Sequence, residues 1–237
     1  MEVTDIKRME GAFVQLSRHN RNVWRRQRAR FAAFASLASV ALIAAAGTDT
    51  VSRGDMAPDA LMRSISTEVL DSIKADPSLR GGDFVKRQGL IDKEVAPYVD
   101  FDRMTRLSVG PGWRTATPEQ QQALTDEFRT YVILTYSGAL SRVTDEQVKV
   151  QPMEAQLSAA EVIVRTQLVS SKGEPTQLDY RLERSATGWK IYDVAILGVS
   201  MVETFKDSFA SEIRQNGVAG LIRALGDKNR QLMTSKS

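Results

Sequence analysis

The chain has 237 residues, with 32 Lys and Arg against 29 Asp and Glu, a formal net charge of +3. This length suffices for one large domain or two small ones. There is no Cys and a single His, His19. Disulfides, thiolate metal sites, a Cys nucleophile and a lipid-anchor cysteine are therefore excluded. From Gly47 onward, zinc sites built on His or Cys and Ser-His-Asp or Cys-His catalysis are excluded as well.

The positive charge is concentrated near the N-terminus. Residues 1–46 contain eight basic and three acidic side chains, so the remainder has 24 basic and 26 acidic residues, a net charge of −2. Binding to nucleic acid depends mainly on positive charge. We therefore expect no nucleic-acid partner for the body of the protein.

Residues 1–46 have the pattern of an export signal. A basic segment ends at Arg30, and the uncharged apolar run Phe31 to Ala46 follows. Ala44-Ala45-Ala46 fits the small-x-small cleavage pattern, which predicts a mature chain that starts near Gly47 and is exported. The run has 16 residues, fewer than the ~20 usual for a membrane span. An uncleaved anchor is the alternative.

Helices are predicted next. Residues 47–57 are small and polar, typical of a flexible segment. Pro58 is suited to the first position of a helix, and Asp76-Pro77 ends that helix. Its apolar residues recur every fourth position and form one stripe: Leu61, Ile65, Val69 and Ile73. A second amphipathic helix follows the loop at Arg80.

The segment Asp100 to Val109 predicts a short helix with Asp100 as its N-cap. Asp100 and Asp102 also permit an acid–base dyad. The alternative is a capping residue followed by a first-turn acidic residue that interacts with the helix dipole, and the pattern favours this alternative.

A longer helix is predicted from Thr117 to about Leu140. Thr117, Pro118 and Gln120 form the sequence of a capping box with Pro at the first helical position. The apolar stripe of this helix is wide enough to cover a sheet. It contains Leu124, Phe128, Tyr131, Val132, Thr135, Tyr136 and Ala139.

After Thr144 the period of the apolar residues changes from 3.6 to 2, which predicts strands. Four antiparallel strands are expected, near residues 148–150, 162–168, 178–184 and 189–196. Gly188 supplies the positive φ of a tight turn, and the register changes near Tyr192-Asp193, where we expect a β-bulge.

Helices return after the last strand. Met201, Val202, Phe205, Phe209 and Ile213 fall on one helical face. Asn216-Gly217 is expected to break the chain before a last short helix, and residues 228–237 are expected to form a frayed polar tail. The order of elements predicts an α+β fold with helices against one antiparallel sheet, a shape that can enclose a cavity.

Several segments resemble the MlaC family, the periplasmic phospholipid-binding proteins of the maintenance-of-lipid-asymmetry pathway, also called the toluene-tolerance auxiliary family. The resemblance extends from about Pro58 to Leu225. Leu197 departs from the family pattern, in which an acidic residue is expected, and Phe205 stands where Tyr is commoner. The segments that carry the resemblance are FDRM (Phe101 to Met104), Trp113-Arg114 before TPEQ, Thr130 to Tyr136, WKIYDV, and Gly198-Val199-Ser200.

The resemblance implies an NTF2-like body in residues 58–227, with a curved antiparallel sheet and helices around a deep apolar cavity that takes up the acyl chains of a glycerophospholipid. It implies a soluble carrier, not an enzyme, without cofactor or metal. The implied partners are an inner-membrane ABC transporter with an MCE-domain subunit and an outer-membrane lipoprotein complex.

Candidate cavity-lining residues are the apolar side chains near the middle of these elements, each of which also suits an ordinary core. Arg103, Arg106 and Arg114 are candidate headgroup neighbours or partner contacts, with solvated surface or structural ion pairs favoured. The candidate lining residues are Phe101, Met104, Leu107, Phe128, Tyr131, Val132, Val164, Leu182, Ile191 and Val194.

Two alternative functions remain at this point. Sheet-with-pocket folds also host catalysis, and Tyr180, Tyr192 and Asp193 are the candidate groups for an enzyme. A protein tethered by residues 31–46 that uses its apolar stripes to bind a protein partner is the other alternative.

Overall fold

The computed structural model describes residues 53–80, 83–153, 159–171 and 174–235. The segment from Arg53 onward belongs to one compact unit. The predicted export signal lies outside the described residues and stays a prediction. Among the residues described, no helix combines the length and the apolar character needed to cross a bilayer.

The described ranges contain six α-helices. Pro58 is the first residue of α1, and Asp100 and Thr117 are the N-caps of α4 and α5, as the sequence predicts. At Gly217, φ is 70° and ψ is 178°, so α6 is interrupted at the predicted break. The helices are α1 (Pro58–Ala75), α2 (Pro77–Arg80), α3 (Phe84–Glu94), α4 (Phe101–Val109), α5 (Pro118–Tyr136) and α6 (Met201–Thr234).

The strands form one antiparallel sheet with the order β1-β2-β3-β4-β5. The α+β prediction is confirmed, and the sequence missed only β5, which has two residues. Arg181 pairs with Asp193 and Leu182 pairs with Ile191, so Tyr192 is the extra residue of the predicted bulge. The strands are β1 (Gln147–Val150), β2 (Glu161–Val169), β3 (Thr176–Ser185), β4 (Gly188–Ile196) and β5 (Val199–Ser200).

Strict alternation gives the sheet an apolar face and a polar face. In β2, Val162 and Val164 are buried, whereas Ile163 and Arg165 are exposed. Helix α1 covers the apolar face at β1 and β2. The core between them consists mainly of Leu61, Met62, Ile65, Val150, Val162, Val164, Leu182, Trp189 and Ile191.

The prediction that the α5 stripe covers the sheet is wrong, because α5 packs mainly against α6. Phe128 meets Phe205 and Phe209 edge to face, with ring centroids 4.9 Å and 5.2 Å apart. Aromatic pairs of this geometry add to the free energy gained by burial. Helix α5 also ends at Tyr136, and a 3₁₀ turn from Ser137 to Arg142 replaces its expected last turn.

The frayed tail predicted from Lys228 is also wrong, since α6 continues to Thr234. Asn229 is only 2% exposed. Its side-chain amide donates to the backbone oxygen of Glu127 at 2.9 Å and to Oε2 of Glu127 at 2.7 Å. One buried amide therefore fixes the end of α6 to α5.

The turn between β4 and β5 contains an unusual backbone. Leu197 has a φ of 51°, and Gly198 has a φ of 85°. Left-handed conformations are costly for residues with a bulky side chain, but Asn and Asp adopt them more readily. This geometry explains why an acidic residue suits the position better than Leu.

We predict that Leu197→Asn raises the free energy of unfolding by about 0.5–1 kcal/mol, because it relieves this strain. Urea denaturation measures the change. The matched control is Val199→Asn, which replaces a neighbouring exposed residue that has no left-handed backbone. A Leu197→Asn variant no more stable than the Val199→Asn variant would contradict the assignment of strain.

Candidate functional site

Four of the candidate cavity residues lie on the apolar face of the sheet. Val164 and Leu182 are fully buried, Ile191 is 2% exposed, and Val194 is partly buried against them. We call these four residues, together with Val162, the sheet cluster. Helix α1 closes this cluster with aliphatic side chains, so in this structure it is packed.

Two other candidates lie between helices. Phe128 and Tyr131 of α5 pack with Phe205 and Phe209 of α6, and the Tyr131 and Phe205 ring centroids are 5.7 Å apart. We call these four residues the aromatic cluster. Phe128 and Phe209 are fully buried. The sequence correctly placed these side chains inside but did not reveal that they face α6.

The last four candidates are on α4 and α5. Met104 is 2% exposed, whereas Phe101, Leu107 and Val132 are partly exposed. Leu107 borders a polar groove rather than an apolar one. The structure thus divides the ten candidates among the sheet cluster, the aromatic cluster, the buried Met104 and partly exposed positions of α4 and α5, and does not bring all of them into one lining.

Burial on the apolar face decreases along β3 and β4. Leu182 and Ile191 are buried, but Leu178, Tyr180 and Ile196 are only partly so. Burial raises the pKa of the Tyr180 phenol to about 12, so it is neutral at physiological pH. Its pairing with Val164 puts it on the apolar face. The sequence analysis missed Tyr180 as a lining residue, although the alternation along β3 carries that signal.

The opposite face of the sheet has a polar network centred on Arg103. Its guanidinium donates to Glu161 at 2.6 Å and to Glu183, and lies 3.8 Å from the centroid of the Tyr192 ring. The Tyr192 hydroxyl donates to the same Glu161 at 2.8 Å. Arg103 therefore joins α4 to three strands. For this residue the sequence analysis favoured a structural ion pair, and the structure shows one.

Asp193 holds the start of α6. Its carboxylate is 1% exposed and accepts hydrogen bonds from Ser200 Oγ at 2.6 Å and from the backbone N–H of Val202 at 3.1 Å. The side chain thus satisfies donors that a helix start leaves free. These hydrogen bonds compensate the Asp193 carboxylate for the water that it loses on burial.

The groups suggested for catalysis are not assembled. Tyr180 is on the apolar face, whereas Tyr192 and Asp193 belong to contacts on the polar face. The dyad fails as well, because Asp100 accepts the backbone N–H of Arg103 at 2.8 Å as an N-cap, and Asp102 lies near Thr125. Among the described residues, no group of three or more acidic or His side chains is arranged to hold a metal.

We predict a specific acid dependence for the Arg103 network. Hydrogen bonds from Arg103 and then Tyr192 hold the pKa of Glu161 below its ordinary value. The stability this gives is present above the ordinary glutamate pKa of about 4.3 and is lost as the pH falls through the lower folded-state pKa. Glu161→Gln should therefore lower the melting temperature at pH 6 and make its decline toward pH 3 shallower.

The control is Glu174→Gln, an exposed glutamate that makes no ion pair with a described residue. Burial raises the pKa of Glu183, so its contribution has the opposite sign and is lost as the pH rises. The wild type and the Glu174→Gln variant both retain Glu183, so its contribution to the pH dependence of stability is the same in the two proteins. If the melting temperatures of the wild type and the Glu161→Gln variant declined equally steeply from pH 6 toward pH 3, the network would not stabilise the fold.

Comparisons with known proteins agree on one family. The family model described as MlaC protein matches residues 63–227. The toluene tolerance protein ttg2D of Pseudomonas putida is 25% identical over 161 residues, 68% of this chain and 74% of that protein. The intermembrane phospholipid transport system binding protein MlaC of Haemophilus influenzae is 22% identical over 172 residues, 71% of this chain and 80% of that protein.

A solved structure gives the same result. The phospholipid-binding protein from Ralstonia solanacearum, solved in complex with a phospholipid, has a TM-score of 0.71 and 41% sequence identity to this chain. The match covers 75% of this chain and 99% of that protein. On the family match and this structural likeness, the chain belongs to the MlaC family.

Proposed function

We propose that this protein is a soluble carrier that encloses the acyl chains of a glycerophospholipid. The observation that carries the proposal is the 41% identity, over 99% of its length, to a protein whose structure contains a bound phospholipid. The apolar face of the sheet supplies the kind of surface that such a ligand needs.

The physical requirement is strict. Each exposed CH₂ costs about 0.8 kcal/mol in water, so two chains of about fifteen groups cost ~20 kcal/mol or more. A carrier must therefore enclose the chains almost completely, with apolar walls and few directed polar groups. We propose that the sheet cluster and the aromatic cluster form such walls, with the ten candidate residues as the lining.

Both clusters are packed in this structure, so loading requires a second state. Since α5 and α6 share the aromatic cluster and α6 contacts the sheet at β4, we propose that they move together, as one layer, away from the sheet, while α1 withdraws from the sheet cluster that it closes. Asp193 joins β4 to the start of α6 and suits a hinge position. A lipid or a partner shifts such an equilibrium only by binding the open state more tightly.

A buried polar atom on α5 is unsatisfied in the packed state. The Thr135 hydroxyl on α5 is buried without a hydrogen-bond partner in the described structure. An unsatisfied buried hydroxyl costs about 1–3 kcal/mol. We propose that the open state gives this hydroxyl water or a ligand as a partner.

The carrier's place in the cell is the finer part of the proposal. After export by residues 1–46, the protein shuttles in the periplasm between an outer-membrane lipoprotein complex and an inner-membrane ABC transporter with an MCE-domain subunit. Family membership supports this, as does the name of the Haemophilus influenzae relative, which describes an intermembrane transport system. Carriage of lipid needs no catalytic step.

Native mass spectrometry of protein purified from its own periplasm tests the proposal. We expect an added mass near that of one phospholipid, lost on denaturation and identified by lipid extraction. The start of the purified chain also tests cleavage near Ala46. A protein that is empty, and that also fails to take lipid from vesicles, would refute the carrier function.

A substitution on the apolar face tests the location. We predict that Val194→Trp makes lipid binding roughly tenfold weaker, because overpacking costs about 1–3 kcal/mol where acyl chains must fit. The matched control is Gln177→Trp, an exposed residue of β3 on the polar face. Lipid titration in vesicle-transfer assays gives both affinities, and equal affinities would exclude the apolar face as the binding surface.

A further inference from the structure

Two hydroxyl groups lie in the middle of the apolar face of the sheet. Val164 of β2 pairs with Tyr180 of β3, and Thr166 pairs with Leu178, so these four side chains share one face. Thr166 and Tyr180 are diagonal neighbours there, and an aromatic side chain can span that separation. Burial of a polar group costs free energy unless it has a hydrogen-bond partner. The partners of these two hydroxyls therefore decide what each of them does.

The Thr166 hydroxyl has a structural role. Thr166 is 1% exposed, and its Oγ1 donates to the backbone oxygen of Leu178 at 3.0 Å. A threonine hydroxyl has a single proton to donate. That proton is used within the sheet, so Thr166 is not the donor for a ligand on this face.

The Tyr180 phenol is a hydrogen-bond donor at every physiological pH. Burial raises its pKa to about 12, and the interaction with the Thr166 side chain opposes only part of this shift. The side chain is packed against the sheet cluster and is only partly buried. A tyrosine is also longer than the neighbouring valines, so its hydroxyl can project past the surface that they form.

Tyr180 lies where the burial of the apolar face decreases. Leu182, two residues away on β3, is fully buried, whereas Leu178, two residues away in the other direction, is only partly buried. The same change occurs on β4 between Ile191, which is buried, and Ile196, which is partly buried. The phenol therefore marks the border between the deep part of the apolar wall and a part closer to solvent.

A glycerophospholipid has an acceptor at the corresponding depth. Its acyl chains are apolar and its headgroup is charged, and the two ester carbonyls between them accept hydrogen bonds but donate none. Removal of such a carbonyl from water is unfavourable unless a donor replaces the water. The ester carbonyls are the same in lipids with different headgroups, so a donor to them does not restrict the headgroup.

We propose that the Tyr180 hydroxyl donates a hydrogen bond to an acyl ester carbonyl of the bound lipid. This inference rests on the proposed carrier function and assigns a polar contact within the same site. The contact holds the glycerol at the depth of Tyr180, with the acyl chains toward Leu182 and Ile191 and the headgroup toward Leu178 and Ile196. One directed hydrogen bond in an apolar wall then sets the position of the lipid.

A competition between two lipids tests this contact. The vesicles contain equal amounts of dimyristoyl phosphatidylglycerol and its ditetradecyl diether analogue, which has chains of the same length but no ester carbonyl. Delipidated protein is loaded from these vesicles and re-isolated, and the extracted lipids are quantified by mass spectrometry. We expect the ratio of bound diester to bound diether lipid to be roughly two- to tenfold lower for Tyr180→Phe than for the wild type, as the loss of one hydrogen bond implies.

The ratio isolates the contact from other effects. The ease with which each lipid leaves a vesicle is the same for every variant, so a change in the ratio comes from the protein. The matched control is Tyr192→Phe, which removes a hydroxyl that donates to Glu161 on the polar face. Its ratio should equal that of the wild type, and melting curves check that every variant is folded.

The neighbouring hydroxyl has its own variant. Thr166→Val should keep the wild-type ratio, because the Thr166 proton is used within the sheet. A lower ratio for Thr166→Val together with an unchanged ratio for Tyr180→Phe would assign the contact to Thr166 and overturn the inference.

This contact and the carrier function fail in different ways. Uptake of both lipids by Tyr180→Phe in the wild-type ratio would overturn the ester contact and leave the carrier function intact. Failure of the folded wild type to take up either lipid would refute the carrier function and, with it, the inference that rests on it.

Discussion

The alternation of side chains along β2, β3 and β4 is the constraint on which the rest of the structure depends. One set of positions makes an apolar wall, and the other makes a polar face with its own ion pairs. The bulge at Tyr192 matters most, because it adds one residue and leaves both Tyr192 and Asp193 among the polar-face contacts. Tyr192 supports Arg103 of α4, and Asp193 accepts the backbone N–H of Val202 at the start of α6. A single irregularity in β4 therefore holds two helices to the sheet.

Local signals were sufficient for much of the fold. The capping box at Thr117, the cap at Asp100, the turn at Gly188 and the bulge near Tyr192 depend on residues close together in sequence, and all are present. The partner of the α5 stripe could not be predicted this way, because an apolar stripe indicates that a face is buried but not what covers it. The prediction of a frayed tail was wrong for a similar reason, since a polar composition does not reveal the contact between Asn229 and Glu127.

The candidate site residues were likewise predictable only in part from the sequence. Val164, Leu182 and Ile191 are on the apolar face because alternation determines the face of every residue in a strand. Phe128 and Tyr131 are buried as expected, but against α6. In the proposed lipid-loaded state, the free energy gained by covering the acyl chains must offset the packing lost when the α5–α6 layer moves.

The most direct test of this account is a distance between spin labels with and without lipid. The chain has no native Cys, so introduced pairs are unambiguous. One pair joins exposed Asp126 of α5 to exposed Gln177 of β3, and a reference pair joins Asp126 to exposed Arg214 of α6. We predict that loading lengthens the first distance and leaves the second unchanged. A protein filled with lipid in which the distance from α5 to the sheet stays the same would contradict the proposed separation.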